Sequence, residues 1–152
     1  MRRRSIGRAE DIGQFAGVEA VQTGSVGGHY RIIDITLSNC INSGRRRVYL
    51  LTLSKALSLN RHIREGWTGI MTHELGEFIE PLPPMQRTGS NWYMGAADSV
   101  FQNIYSIGSE QPKYVIILSG DHIYKMNYNR MLEHHKESKA SSLIALIGHE
   151  IP

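Results

Sequence analysis

Two short runs of apolar residues constrain the fold of this chain most strongly. They are RRVYLLTL at 46–53 and KYVIILSG at 113–120. Neither run alternates apolar and polar residues, as a strand with one face in water would. Continuous apolar runs of this length are typical of strands covered on both faces, as in a parallel sheet flanked by helices. The sequence therefore predicts a buried parallel sheet.

Helical patterns separate and follow these strands. Amphipathic spacing is found in HYRIIDITLSNCINSG at 29–44, SKALSLNRHIREGW at 54–67, AADSVFQNIYSIG at 96–108 and NYNRMLEHHKESKA at 127–140. We also expect a final strand at SSLIALIGH, 141–149, and a short strand at EFIEPL within an irregular stretch over 66–95. Helices that alternate with strands indicate an α/β fold with a mostly parallel sheet.

Composition excludes several classes of protein. The chain has 152 residues, of which 41% are hydrophobic and 20% charged, as expected of one soluble globular unit. No apolar run is long enough to span a bilayer, and no signal peptide is evident, so we expect a cytoplasmic protein without a membrane partner. The net charge of +3 comes from an arginine-rich start, and the body has no basic stripe. Nucleic acid is therefore not expected as a partner.

Three further features have structural and functional interpretations. Residues 1–26 show no clear period, and we expect this atypical segment to be disordered or loosely structured. The single cysteine, Cys40, lies in an apolar helical pattern, which favours a packed thiol over a reactive one. His134 and His135 are adjacent, so they point to different sides of a helix and make a poor metal pair. Solvated surface is the expected place for both.

Asp121 follows the strand at 113–120 directly, in the sequence SGDHIYKM. A strand that ends in a turn would explain an acid at this point. A metal-binding carboxylate would explain it equally well, because ligands of parallel α/β sheets bind beyond the carboxyl ends of the strands. Spacing alone leaves both interpretations open.

Four segments together resemble one family, the sugar-1-phosphate nucleotidyltransferases, and most closely its adenylyl-transferring, glucose-using branch. They are GGHYRIIDITLSNCINSG at 27–44, SLNRHI at 58–63, NWYMGAADSVFQNIYSI at 91–107 and ILSGDHIYKMNYNRML at 117–132. They occur in the order and at the spacing of the family. The resemblance implies a Rossmann-like nucleotidyltransferase fold that is incomplete here, with 27–152 forming part of the catalytic domain.

The resemblance also implies a reaction. ATP and α-glucose 1-phosphate would give ADP-glucose and pyrophosphate, in glycogen or starch synthesis, with Mg²⁺ as cofactor. Full-length members of the family are homotetramers. A carboxylate at a strand end suits this chemistry, because Mg²⁺ prefers hard oxygen ligands. An alternative is a non-catalytic, degenerate fragment that binds nucleotide or sugar phosphate weakly, or that associates with a full-length homologue.

By the same resemblance, several residues acquire expected roles. Asp121 would be the metal-binding and catalytic carboxylate. Tyr93, beside Trp92, would contact glucose 1-phosphate, unless the two aromatic rings only fasten a long loop. Gly95 would let the backbone approach the nucleotide, and Ala97 and Asp98 would line the base and ribose. Arg31 resembles an arginine tied to effector binding, and a surface ion pair is an equal alternative.

The chain also departs from the pattern of the family. It lacks the glycine-rich loop of the type LAGGxGxRLxPLT, whose backbone N–H groups hold the nucleotide phosphates. It also lacks the Lys-Pro-Ala-Val segment, and Leu53 replaces a common glutamine. A one-base shift in the coding sequence over residues 1–26 would restore similar motifs, so a frameshift is one hypothesis. We expect an unpaired central position in the sheet, and little or no adenylyltransferase activity from this chain.

Overall fold

A computed structural model describes residues 14–20, 25–26, 28–52, 57–83, 95–142 and 144. Over these residues, the main sheet has four parallel strands in the order β5-β4-β1-β6. The strands are β1 (Gln14–Ala20), β4 (Arg47–Thr52), β5 (Phe78–Leu82) and β6 (Tyr114–Ser119). Two short strands, β2 (Ser25–Val26) and β3 (Tyr30–Arg31), form a separate antiparallel pair.

In the described ranges, five α-helices accompany the sheet. They are α1 (Ile32–Asn42), α2 (Leu57–Gly66), α3 (Ala96–Gln102), α4 (Ile104–Ser109) and α5 (Tyr128–Ser138). Two turns of 3₁₀ helix, Thr68–Ile70 and His73–Leu75, precede β5. In the described part of the chain, no helix is both long and apolar enough to cross a membrane. The predicted α/β class is confirmed, and so are the predicted helices of α1, α2 and α5.

The core lies on both faces of β4. On one face, Val48 and Leu50 pack with apolar residues of α1, α2 and α5. On the other face, Tyr49 packs with Ile107 of α4, and its ring lies 4.9 Å from that of Phe78. Burial of each apolar side chain of this size contributes about 1.5–3 kcal/mol to the free energy of folding. The prediction of a strand covered on both faces is therefore correct for β4.

The same prediction is wrong for β6. Ile116 and Leu118 are buried, but Val115 and Ile117 are 42% and 56% exposed. The reason is position, since β6 is the edge strand of the described sheet and one of its faces receives no cover from α3 or α4. An apolar run alone does not reveal whether a strand lies at the centre or at the edge.

The expectations for the first 26 residues also need correction. Gln14–Ala20 form β1, which pairs in parallel with β4 and β6. The central position of the sheet is thus occupied, not unpaired. Gly17 and Glu19 interrupt any apolar period, so the strand is defined by its two neighbours and not by its own pattern. Residues 1–13 and 21–24 lie outside the described residues.

Two smaller differences concern helices and the last strand. The single helix expected at 96–108 is divided at Asn103, whose side-chain Nδ2 donates to the carbonyl of Ser99 at 2.8 Å and so competes with regular helical bonding. His134 is exposed as expected, but His135 is half-buried and its ring meets the Tyr114 ring edge-on at 5.7 Å. Of the strand expected at 141–149, residues 143 and 145–149 lie outside the described residues.

Cys40 is a packed thiol, as predicted. It lies in α1 with no exposed surface, among the apolar residues of the main core. Burial raises the pKa of the Cys40 thiol to about 12, although nearby Arg45 opposes the shift. Because the thiolate is the reactive form, this side chain is inert in the folded chain.

Asp34 has three hydrogen-bond partners, and two of them lie in α2 or directly after it. Its carboxylate accepts from the backbone N–H of Arg31 at 2.8 Å and from Trp67 Nε1 at 2.8 Å. The Nε2 atom of His62 lies 2.7 Å from Asp34 Oδ1. Asp34 itself is only 7% exposed, so its partners depend on it. This carboxylate therefore has a structural role at the start of α1.

We predict that Asp34→Ala lowers the free energy of unfolding by about 2 kcal/mol, because it leaves the indole N–H of Trp67 and the imidazole of His62 without their acceptor. Urea denaturation followed by circular dichroism measures the change. Glu65→Ala, an exposed carboxylate on α2, is the matched control and should change stability by no more than about 0.5 kcal/mol. Equal stability of the two variants would contradict this role.

Candidate functional site

The parallel sheet brings the carboxyl ends of its four strands to one edge. In register, Glu19 of β1 lies opposite Leu51 of β4, and Leu82 of β5 and Ser119 of β6 lie at the same level. Asp121 follows β6 two residues beyond Ser119, as the sequence predicted. Its side chain is 50% exposed. The carboxylate therefore lies at the edge where ligands of parallel sheets bind.

Asp121 has two close polar neighbours. The Ser119 hydroxyl donates a hydrogen bond to Asp121 Oδ1, and His122 Nδ1 lies 3.0 Å from the same oxygen. The hydrogen bond from Ser119 lowers the pKa of Asp121 most, the charge of His122 lowers it further, and partial burial opposes both. Asp121 is therefore a carboxylate throughout the neutral range, which is the form that binds cations.

This arrangement fits one mode of magnesium binding. Mg²⁺ is often held by one or two carboxylates, with water and substrate phosphates completing its shell. Asp121 supplies one exposed, ionised carboxylate of this kind. Among the residues that the structure describes, no group of three histidine, cysteine or acidic side chains is placed to hold a metal alone. The donor set fits a metal shared with substrate and does not fit a closed structural site.

Gly95 precedes α3 in a conformation that side-chain-bearing residues rarely adopt. Its φ is 143° and its ψ is −178°, and among the described residues other than its chain neighbours, no atom lies within 4 Å of the position that a Cβ would take. A positive φ of this size favours glycine strongly. The backbone at Gly95 is thus both special and open, as a backbone that a ligand approaches must be.

The other expected substrate residues are only partly described. Ala97 is exposed in the first turn of α3, and Asp98 accepts a hydrogen bond from Gln102 Nε2 at 2.9 Å. Trp92, Tyr93 and Leu53 lie outside the described residues. In these contacts, the structure brings Asp121 together with Ser119 and His122, and Asp98 together with Gln102.

Arg31 is the last residue of β3 and directly precedes α1. One guanidinium nitrogen, NH1, is 3.4 Å from the Ser58 hydroxyl of α2. Its backbone N–H donates to Asp34, as described above. These contacts place Arg31 at the junction of α1 and α2, and both of its predicted roles, effector binding and an ion pair, stay predictions.

Sequence analysis did not identify the two neighbours of Asp121. Ser119 and His122 both lie in the SGDH stretch, and their short sequence separation from Asp121 was the available signal. A serine two residues before an aspartate can form a local hydrogen bond, since its hydroxyl is short and close to the following residues. Both residues lower the pKa of the carboxylate, and both lie within the segment 117–132 that resembles the family.

A groove of about 750 Å³ runs along the edge of β6. Apolar side chains of β6 and α5, including Ile116, Leu118 and Met131, form much of its lining. At one end it reaches Ser119 and His122, the two neighbours of Asp121. The carboxylate is therefore beside open space and not beneath the core.

We predict that the pKa of Asp121 lies below about 3.9 and rises toward that ordinary value in Ser119→Ala. Because the folded-state pKa is lowered, the stability it contributes is present above about pH 3.9 and is lost as the pH falls through the folded-state pKa. Carbon-13 NMR titration of the carboxyl group measures the change. Ser109→Ala, which removes a hydroxyl that donates to the Ser106 carbonyl, is the control. An unchanged titration midpoint in Ser119→Ala would contradict the assignment.

Comparison with known proteins identifies strong similarity over most of the chain. It is 74% identical over 121 residues to a glucose-1-phosphate adenylyltransferase of Koribacter versatilis, which covers 80% of this chain and 29% of that protein. The enzyme of the same name from Rhodopirellula baltica is 53% identical over 122 residues, 80% of this chain and 27% of that protein. A relative in Paraburkholderia phymatum is 48% identical over 147 residues, 96% of this chain and 34% of that protein.

These relatives are much longer than the present chain, which spans 27–34% of their length. The sequence pattern of the family described as "Nucleotidyl transferase" matches residues 20–151. That match includes β4 to β6, the glycine at 95 and the carboxylate at 121. Because the match covers most of the chain, this protein belongs to the nucleotidyl transferase family.

Proposed function

We propose that this chain forms part of the catalytic domain of a glucose-1-phosphate adenylyltransferase. The reaction transfers an adenylyl group from ATP to α-glucose 1-phosphate and gives ADP-glucose and pyrophosphate. Membership of the nucleotidyl transferase family supports the reaction type, and the names of the similar proteins support the substrates. The resulting ADP-glucose would serve glycogen or starch synthesis.

One observation carries the proposal. Asp121 is an exposed carboxylate at the carboxyl edge of a parallel sheet, and Ser119 and His122 lower its pKa. A carboxylate in this position would bind Mg²⁺ together with the phosphates of the substrate. When bound, the metal would neutralise charge on the departing pyrophosphate.

The reaction itself defines which parts of the substrates the residues of this chain would contact. An oxygen of the sugar phosphate attacks the α-phosphorus of ATP, and the bond from that phosphorus to the bridging oxygen of the β-phosphate breaks. We assign Trp92 and Tyr93 to the sugar phosphate, and Ala97 and Asp98 to the base and ribose. The open backbone of Gly95 would lie close to the nucleotide. Arg31, at the α1–α2 junction, would take the regulatory role.

We expect this chain to bind nucleotide but to show little or no adenylyltransferase activity. The sequence lacks the glycine-rich loop that would supply backbone N–H groups to the nucleotide phosphates. Without that loop, the α- and β-phosphates lose much of the electrostatic support that lowers the barrier. Its lone, buried cysteine suits the reducing conditions of the cytoplasm, where we place the protein. Assembly as a homotetramer would follow the longer members of the family.

A second candidate function is association with a longer homologue without catalysis. Exposed apolar side chains favour it: Val115 and Ile117 on β6, and Phe101, Ile104 and Tyr105 on α3 and α4. Contiguous exposed apolar surface often marks a site of protein association. Sedimentation of the chain with an intact homologue distinguishes this role from substrate binding.

We predict that the chain binds Mg²⁺·ATP and that Asp121→Asn weakens the binding at least about tenfold, since even indirect partners of metal ligands are worth 10- to 100-fold. Isothermal titration calorimetry measures the dissociation constant. Glu137→Gln removes an exposed carboxylate from α5 and should leave the dissociation constant within about twofold. Equal affinity of wild type and Asp121→Asn would exclude Asp121 as the metal ligand. ADP-glucose formation by the purified chain above the Asp121→Asn level would contradict the expected lack of turnover.

A further inference from the structure

The segment that carries Asp121 has no regular secondary structure of its own. Residues 120–127 connect β6 to α5 without a helix or a strand. Such a segment keeps one conformation only where hydrogen bonds from its surroundings hold it. The position of Asp121 therefore depends on whatever binds this connection, which we call the Asp121 loop.

Asn39 of α1 binds the Asp121 loop at two points. Its Nδ2 donates to the carbonyl of Tyr124 at 2.8 Å, and its Oδ1 accepts from the backbone N–H of Met126 at 3.4 Å. One carboxamide thus joins a backbone acceptor and a backbone donor two residues apart. Asn39 is only 6% exposed, so water has little access to replace these bonds.

Thr36 binds the other end of the same stretch. It lies one turn before Asn39 on α1, has no exposed surface, and its hydroxyl is 3.4 Å from the carbonyl of Ser119. The contacts of Thr36 and Asn39 lie on the two sides of Asp121 along the chain. One helix therefore holds both ends of the loop that carries the carboxylate.

The C-terminal side of the loop has further hydrogen bonds. The backbone N–H of Tyr128 donates to the Ser43 hydroxyl at 2.9 Å, and the Tyr124 and Tyr128 hydroxyls are 2.7 Å apart. Asn127 accepts from the backbone N–H of Asn129 at 3.0 Å and so caps α5. The bonds made by Ser43 and Asn127 do not involve Asn39, so they would still hold the start of α5 when the contacts of Asn39 with the loop are lost.

We propose that Asn39, assisted by Thr36, is a positioning residue that holds the Asp121 loop in the conformation in which its carboxylate meets metal and nucleotide. The loop-holding part stands on the contacts above, and the binding part rests on the proposed function of Asp121. Neither residue touches substrate in this account. Both act through the backbone at Ser119, Tyr124 and Met126.

Amide hydrogen exchange tests the loop-holding part directly. In Asn39→Leu, which removes both polar atoms at similar volume, the Met126 amide and its neighbours in the loop should exchange roughly tenfold faster. Amides of β4 should change only as far as global stability changes. Ile33→Val, which removes one methylene group from a buried side chain on the same helix, is the control for global stability. If the loop amides in Asn39→Leu and in Ile33→Val exchange faster only in proportion to each variant's loss of global stability, the proposal is overturned.

A second pair of variants keeps the test decisive if Asn39→Leu does not fold. Thr36→Val removes the hydroxyl at nearly constant shape, and Thr36→Ser retains it. The proposal predicts faster exchange around Asp121 in Thr36→Val and recovery in Thr36→Ser. Equal exchange in the two variants at matched stability overturns the role of Thr36 in holding the loop.

Mg²⁺·ATP titration separates this proposal from the proposed function. With Asp121 as ligand, Asn39→Leu weakens binding several-fold, and Ile33→Val does not. If Asp121→Asn leaves the affinity of the wild-type chain unchanged, the proposed function of Asp121 fails and the binding part of this inference fails with it, while the exchange result still decides what holds the loop. If Asp121→Asn weakens binding and Asn39→Leu does not, the proposed function stands and Asn39 has no positioning role.

Discussion

Parallel pairing of β1 with both β4 and β6 is the constraint on which the rest of this structure depends. Glu19 of β1 lies opposite Leu51 of β4 on one side and Ser119 of β6 on the other. Because all three strands run in the same direction, their carboxyl ends meet at one edge. Without β1, nothing in the described sheet would join β6 to β4, and the Asp121 loop would lose its connection to β4 through the sheet.

Helix α1 converts this sheet edge into a defined site. Its apolar residues Ile33, Leu37 and Cys40 bind the helix to the sheet. Its buried polar residues form two separate connections, since Asp34 bonds to the α2 side and Asn39 to the Asp121 loop. Buried polar groups are costly unless their partners are present. Helix α1 is therefore held to the sheet by apolar contacts, and it holds the Asp121 loop by hydrogen bonds.

Local pattern predicted the elements whose own residues determine them. The apolar stripe of α1 and the apolar run of β4 were sufficient to predict both. β1 was missed because Gly17 and Glu19 break its pattern, and only its two neighbours define it as a strand. The coverage of β6 was overestimated, since edge position is a property of the whole sheet.

The candidate site shows the same division. Asp121 was predicted as a site residue because it follows an apolar run and matches a family motif, and its role stays a prediction. Asn39 was not, because its partners are 85 and 87 residues away in the sequence. Ser119 and His122 are near in sequence, but their effect on the pKa of Asp121 depends on the conformation of the loop. Long-range hydrogen bonds of side chains leave little trace in a single sequence.

We propose that metal and nucleotide meet at the Asp121 loop and that the nucleotide extends to the start of α3. A map of paramagnetic broadening by Mn²⁺·ATP across the backbone amides tests this most directly. We predict the strongest broadening at Asp121 and His122, weaker broadening over Gly95–Asp98, and loss of both in Asp121→Asn. Broadening centred on the exposed carboxylates of α5, or broadening that persists in Asp121→Asn, would contradict the account.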